Sequence, residues 1–340
     1  MNNNLYLSSG WINPERLFSS PCPFVVALGG RGIGKTYGCL QYIHAEQIPF
    51  IYMRRTQSQL DAVSIPALNP FNQVAADNGF VMTCKKSSKY SVEFREGDVA
   101  PDSAPAGIGI ALSTFANIRG LSAERYKVLL FDEIIPERHE RPIKEESSAF
   151  LNVVESLNRN RELKGLDPLK IILLSNSNTI NSKILDSIGV TMILDRMIRR
   201  GQQFQRVGDL VEIIRYIDSP ISENKRDTML YRIANNSDFV DMSINNEFSQ
   251  SDFEGIKLQP LSEYKPVVIV ADVTVYRHKS TDRYYIVDRP HTGIKEYTRL
   301  PLSLQEFRKK YFYLYKALIT GRIYYSSIKS KMIFEDVWRM

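Results

Sequence analysis

Residues 29–36 read Gly29-Gly30-Arg31-Gly32-Ile33-Gly34-Lys35-Thr36, a full match to G-x-x-x-x-G-K-S/T. Glycines at these places let backbone N–H groups converge on phosphate oxygens, and a helix starting here adds its positive N-terminal field. Lys35 is then placed to reach β and γ phosphates, and the Thr36 hydroxyl to hold Mg²⁺. The expected ligand is ATP with Mg²⁺, contacted by Gly29, Gly30, Arg31, Gly32, Ile33, Gly34, Lys35, Thr36 and Tyr37. Arg31, inside the loop, could also act on phosphate in cis.

The run Val128-Leu129-Leu130-Phe131-Asp132-Glu133 is an apolar strand ending in two acids. Asp132 fits the Mg²⁺ shell. Glu133 is placed to polarise a water for attack on the γ-phosphate, which ATP-driven motors need and pure switches do not. Leu173-Leu174-Ser175-Asn176 ends the next strand. Asn176 both donates and accepts, so it could sense the γ-phosphate or, equally, cap a helix. Asn158-Arg159-Asn160-Arg161-Glu162 follows an expected helix. Arg159 could reach a neighbouring subunit's γ-phosphate, a role worth ~10³–10⁵ in rate; a plain helix C-terminus attracting cations is the alternative. Arg119 and Arg161 are further candidates. Arg54 and Arg55 end a strand and could face nucleotide or DNA.

These residues must be held by a sheet. Strands are expected at 24–29, 50–54, 107–112, 127–131, 170–174 and 211–217, and helices at 35–46, 147–158 and 180–188. Such alternation implies a parallel sheet with helices on both faces. Residues 81–95 read as an inserted hairpin. The polar stretch 221–250 reads as a linker region that could hold short helices, so the expected organisation is an ATPase domain at 1–220 and a smaller α+β domain at 251–340. In the latter, Leu304, Phe307, Tyr311, Leu314 and Leu318 predict one helix over 303–318.

Length allows two domains, and no apolar run approaches the ~20 residues of a membrane span. Three cysteines without C-x-x-C spacing and four scattered histidines give reduced thiols and no zinc constellation. The start lacks the pattern of a signal peptide. Net charge is +6, and residues 301–340 hold eight Lys/Arg against three acids, which suits a polyanionic partner. Arg308-Lys309-Lys310, interleaved with Tyr311, Tyr313 and Tyr315, is expected to give aromatics to the core and a basic outer face. Asp272 and Asp288 stand at strand ends and could begin a two-metal nuclease site, but no convincing third acid accompanies them. Asn224-Lys225-Arg226-Asp227 matches the guanine-reading N-K-x-D; it falls in the polar linker, with no Asp-x-x-Gly upstream, and reads as chance.

In order and spacing, the chain resembles the DNA packaging ATPases of phi29-type bacteriophages. The resemblance is carried by Gly29 to Tyr37, Ile51-Tyr52-Met53-Arg54-Arg55, Phe131-Asp132-Glu133, Arg159-Asn160-Arg161-Glu162, Leu174-Ser175-Asn176 and Met242-Ser243-Ile244-Asn245-Asn246-Glu247-Phe248. It implies a P-loop NTPase of the ASCE type with a C-terminal domain resembling a vestigial ribonuclease-H-like nuclease. It further implies a homomeric ring, usually a pentamer, in the host cytoplasm, docked at the portal vertex of an empty procapsid. Such a ring drives double-stranded DNA inward, with a structural RNA ring between capsid and motor. It maps trans-acting basic residues onto Arg159 and, less securely, Arg119. A helicase or large terminase with a working nuclease, and a nucleotide-gated RNA- or capsid-binding scaffold, are the alternatives.

Overall fold

The computed structural model describes residues 4–97, 103–136, 140, 143–176, 179–217, 219–225, 228–233, 250–289 and 291–339. The chain divides into two compact units, 1–249 and 250–340.

The first unit is built on β1 (Phe24–Gly29), β2 (Phe50–Arg54), β3 (Met82–Ser88), β4 (Ser91–Glu96), β5 (Gly107–Ala111), β6 (Val128–Phe131), β7 (Lys170–Asn176), β8 (Phe204–Val207) and β9 (Val211–Tyr216). They form one nine-stranded sheet in the order β3-β4-β5-β2-β6-β7-β1-β9-β8. The run from β5 to β9 is parallel, while β4 meets β5, and β8 meets β9, antiparallel. Its helices are α1 (Glu15–Phe18), α2 (Lys35–Ala45), α3 (Gln57–Val63), α4 (Asn72–Asn78), α5 (Glu146–Asn158), α6 (Lys183–Ser187), α7 (Thr191–Arg199), α8 (Pro220–Lys225) and α9 (Met229–Ile233).

The central strands are apolar throughout because both faces are covered. Val25, Tyr52, Leu130 and Ile172 share one core with Leu40 of α2, Leu60 of α3 and Val74 of α4. On the opposite face Phe131 packs against Phe150 of α5, ring centroids 6.1 Å apart. Gly107 is required where β5 passes Phe50: a Cβ there would meet the ring at 2.4 Å.

The second unit holds β10 (Tyr264–Val270), β11 (Val273–His278), β12 (Tyr284–Val287), β13 (Glu296–Tyr297) and β14 (Ile323–Tyr325), in the order β13-β10-β11-β12-β14. β10, β11 and β12 form an antiparallel meander, β13 runs parallel to β10, and β14 parallel to β12. Helices Pro301–Lys310, Phe312–Ile319 and Ile328–Arg339 follow. Phe307, Leu314 and Phe334 join Val268, Val270 and Ile286 in its core.

Several expectations are corrected. The single helix at 303–318 is broken at Tyr311, whose buried ring packs on Phe307 at 5.1 Å and Tyr297 at 5.8 Å. The helix at 180–188 shrinks to Lys183–Ser187, because Ser182 accepts from the Leu185 N–H and caps it there. The described part of the 221–250 stretch carries the short helices α8 and α9. Residues 234–249, with the Met242–Phe248 motif, lie outside the described residues.

Candidate nucleotide site

β1 delivers the chain to the glycine loop, and α2 begins at Lys35. Ile33 is fully buried and pins the loop to the core. A Cβ on Gly29 would meet Ile33 Cδ1 at 2.7 Å and Tyr216 Cβ at 2.8 Å, so only glycine fits there. Gly32 and Gly34 adopt φ of +63° and +88°, the left-handed region glycine enters without strain. Lys35 turns its ammonium back on the loop. It donates to the Gly29 carbonyl at 2.9 Å, the Gly30 carbonyl at 2.6 Å and Asn176 Oδ1 at 3.1 Å. Burial pulls its pKa down to about 7, with Asp132 opposing. Tyr37 sends its hydroxyl to Asp77 on α4 at 2.9 Å.

Parallel pairing brings the other groups alongside. β7 pairs with β1 so that Asn176 stands opposite Gly29, and β6 lies one strand further. Asp132 follows β6 and is buried. It accepts from Thr36 Oγ1 at 2.9 Å, Tyr52 Oη at 2.9 Å and Arg54 at 3.2 Å. Burial raises its pKa, and the Arg54 guanidinium works against that rise. Glu133 sits at φ +58°, its side chain 48% exposed, and its carboxylate is held by the same Arg54. Thr36 Oγ1 and Asp132 Oδ1 thus present two hard oxygens side by side, the donor type Mg²⁺ takes. The glycine cradle and these oxygens fit a magnesium-bound polyphosphate.

Arg54 and Arg55 part company. Arg54 turns to the acids. Arg55 is fully buried and pairs with Glu140 at 2.7 Å and Glu146 at 2.8 Å. Arg55 is corrected from a nucleotide- or DNA-facing residue to an internal anchor for the start of α5. Tyr52 was missed as a site residue. Its place two residues before Arg54, on a strand next to the acid strand, is the signal that could have found it. Asn176 does not cap α6, since Ser182 does.

Arg159 and Arg161 also separate. Arg159 and Asn160 take φ of +42° and +55°, which turns the chain sharply out of α5. Arg159 is exposed, and its guanidinium lies 3.4 Å from the Arg119 carbonyl. Arg119 is exposed as well, so the two share a surface patch. Arg161 is buried and donates to the carbonyls of Asp167 and Tyr126 at 2.9 Å each. At 1.5 Å per residue, α5 puts Arg159 about 20 Å from Glu146. It is not gathered with Lys35 and Asp132.

Arg31 is exposed, and its carbonyl accepts from Lys225. Lys225 closes α8, the helix after β9, and this bond brings it to the glycine loop. Arg226 and Asp227 lie outside the described residues.

In the second unit Asp272 is exposed and pairs with Arg299 at 2.9 Å. Asp288 accepts from the Ser326 and Ser327 hydroxyls at 3.4 and 3.2 Å. Among the described residues no group of three or more His, Cys, Asp or Glu could hold a metal. Tyr311 is core as expected, but Phe312, Tyr313 and Tyr315 are exposed, and Arg308 donates to the Val337 carbonyl.

A family model described as "Podovirus DNA encapsidation protein (Gp16)" matches residues 6–269. The "DNA packaging protein" of Bacillus phage phi29 is 27% identical over 244 residues, 69% of this chain and 65% of that protein. That of Bacillus phage B103 is 27% identical over 228 residues, 65% of this chain and 63% of its own length. The chain thus spans just under two thirds of the curated relatives it matches. Among solved structures, a chain of "The bacteriophage Phi-29 viral genome packaging motor assembly" superposes with a TM-score of 0.68 at 21% identity, covering 99% of both chains. One of "The Phi-28 gp11 DNA packaging Motor" gives 0.64 at 18%, covering 98% of this chain and 97% of the other. At these identities the two structures share the fold, across both units.

Proposed function

The chain belongs to the Podovirus DNA encapsidation protein (Gp16) family, and from that premise we propose that it is an ATP-hydrolysing motor that drives double-stranded viral DNA into an empty procapsid. The observation that carries the reading is the convergence of Lys35, Thr36, Asp132, Glu133 and Asn176 at the ends of β1, β6 and β7. One strand, β7, separates the phosphate-loop strand from the acid strand, an order that supports the ASCE type of P-loop NTPase.

Each residue then has a role. Thr36 and Asp132 would hold Mg²⁺, which would supply charge neutralisation at the phosphates. Lys35 leaves the Gly29 and Gly30 carbonyls for the β and γ phosphates. Asn176, already on Lys35, senses whether the γ-phosphate is present. Glu133 takes the proton of the attacking water once Arg54 lets go of it. Arg159, remote from its own chain's loop, serves the next subunit, with Arg119 beside it. Arg161 is structural in this scheme.

The proposed assembly is a homomeric ring, five-fold by resemblance, at the portal vertex in the host cytoplasm, with a structural RNA as a further partner. The second unit is proposed as a derived ribonuclease-H-like module without cutting activity. Its β10–β12 meander with β13 parallel to β10 supports that origin, and the engagement of Asp272 and Asp288 with Arg299 and serines supports the loss.

Steady-state ATP turnover with duplex DNA, with and without empty procapsids, tests the reading. Stimulation that needs both is expected. Stimulation by DNA alone would favour a free translocase or helicase, and no turnover in any mixture would favour a nucleotide-gated scaffold.

A further inference from the structure

Polyphosphate in the glycine loop has a direction. Its γ end is fixed by Asn176, Asp132 and Glu133, all on the β7 and β6 side of β1. The base must therefore leave on the other side, where β9 lies. Two segments far apart in sequence are clasped there. Gly10 lies against Pro220 and Ile221, where a Cβ would meet them at 3.1 and 3.3 Å. Tyr6 donates to the Ile217 carbonyl at 2.8 Å and meets Tyr216 edge-on at 5.7 Å. Lys225 donates to the Arg31 carbonyl and marks the loop's outer wall on this side.

The clasp presents an indole. Trp11 lies over Gly34, 3.1 Å from where a Cβ would stand, yet the residue is 44% exposed. A large aromatic left half in water beside the phosphate loop has an apolar face to offer. We propose that the base of the bound nucleotide stacks on Trp11. The inference rests on the nucleotide-binding reading above. It adds a base platform that no part of the phosphate-loop pattern contains.

The chain has two tryptophans, and Trp338 sits among Phe307 and Phe334 in the second unit. In the Trp338→Phe protein, Trp11 is the sole indole reporter. Titration with ATP is expected to quench its fluorescence to saturation, while inorganic tripolyphosphate leaves it nearly unchanged. Trp11→Ala should weaken ATP about tenfold, in keeping with the worth of a base–aromatic stack, and leave tripolyphosphate affinity as it was. Trp11→Phe should restore most of the difference. Equal quenching by both ligands, or equal weakening of both by Trp11→Ala, would mean that Trp11 only props Gly34 and would overturn the proposal. Failure of both ligands to bind the parent protein would instead overturn the phosphate-loop reading, and this inference with it.

Discussion

Arg54 donates to Asp132 and to Glu133 at once. While it does so, the acid proposed to activate water is neutralised by a cation. Charge-assisted pairs of this kind are strong but exchangeable. Glu133→Gln is expected to bind ATP normally and lose about 10²–10⁴ in turnover; unchanged turnover would remove Glu133 from its role. Lys35 carries a second consequence. Folded, its pKa is about 7 against 10.5 for the free group. Between those values the unfolded chain binds more protons, so the nucleotide-free protein gains stability as pH rises through that window. Bound polyphosphate restores the proton, so ATP binding at about pH 8 should take up close to one. Calorimetry in buffers of different ionisation enthalpy measures this, and Lys35→Arg should abolish it. The sequence made Lys35, Thr36, Asp132 and Glu133 legible because a fixed local spacing carries their chemistry. Tyr52 and the Arg54–Glu133 pair were not legible, because only strand adjacency brings them together.

At the scale of elements, α5 is anchored at one end and presents a residue at the other. The Arg55–Glu146 pair is inside the protein, and removing Glu146 leaves the buried guanidinium only the partly exposed Glu140 as a carboxylate partner among the described residues. Glu146→Gln is expected to cost about 1–3 kcal/mol, read as a lowered midpoint of denaturant unfolding. Arg161→Ala should destabilise as well, since the buried Tyr126 carbonyl and the part-buried Asp167 carbonyl lose their donor. Arg159→Ala should leave stability unchanged, yet poison mixed assemblies out of proportion to its fraction. A linear dose response would argue against a trans role. The core strands were legible from unbroken apolar runs, with ends within a residue or two. The short α3 and α4 were not, because their hydrophobic positions are too few to show a period; α3 is set instead by the Thr56–Gln59 capping box. The break at Tyr311 was hidden because the apolar spacing continues across it.

For the whole molecule, the proposed substrate is a backbone, not a sequence. Duplex binding should weaken steeply with salt, by about −0.9 in log–log slope for each phosphate neutralised, and should be indifferent to base order. A shallow slope with marked sequence preference would favour a specific DNA-binding protein instead. The change to polar composition after 220 marks the stretch at whose end the chain divides into its two units.

The nine-stranded sheet closes itself at both margins. β3 is bulged between Lys86 and Ser88 and carries exposed lysines, and β8 is four residues long. Such margins resist the addition of a foreign strand. In the proposed ring, neighbours therefore cannot be sewn into one continuous sheet by backbone bonds. They touch through side chains, and contacts of that sort can be released and remade at every turn of the cycle. A motor built this way lets each subunit move without tearing the fabric of the next.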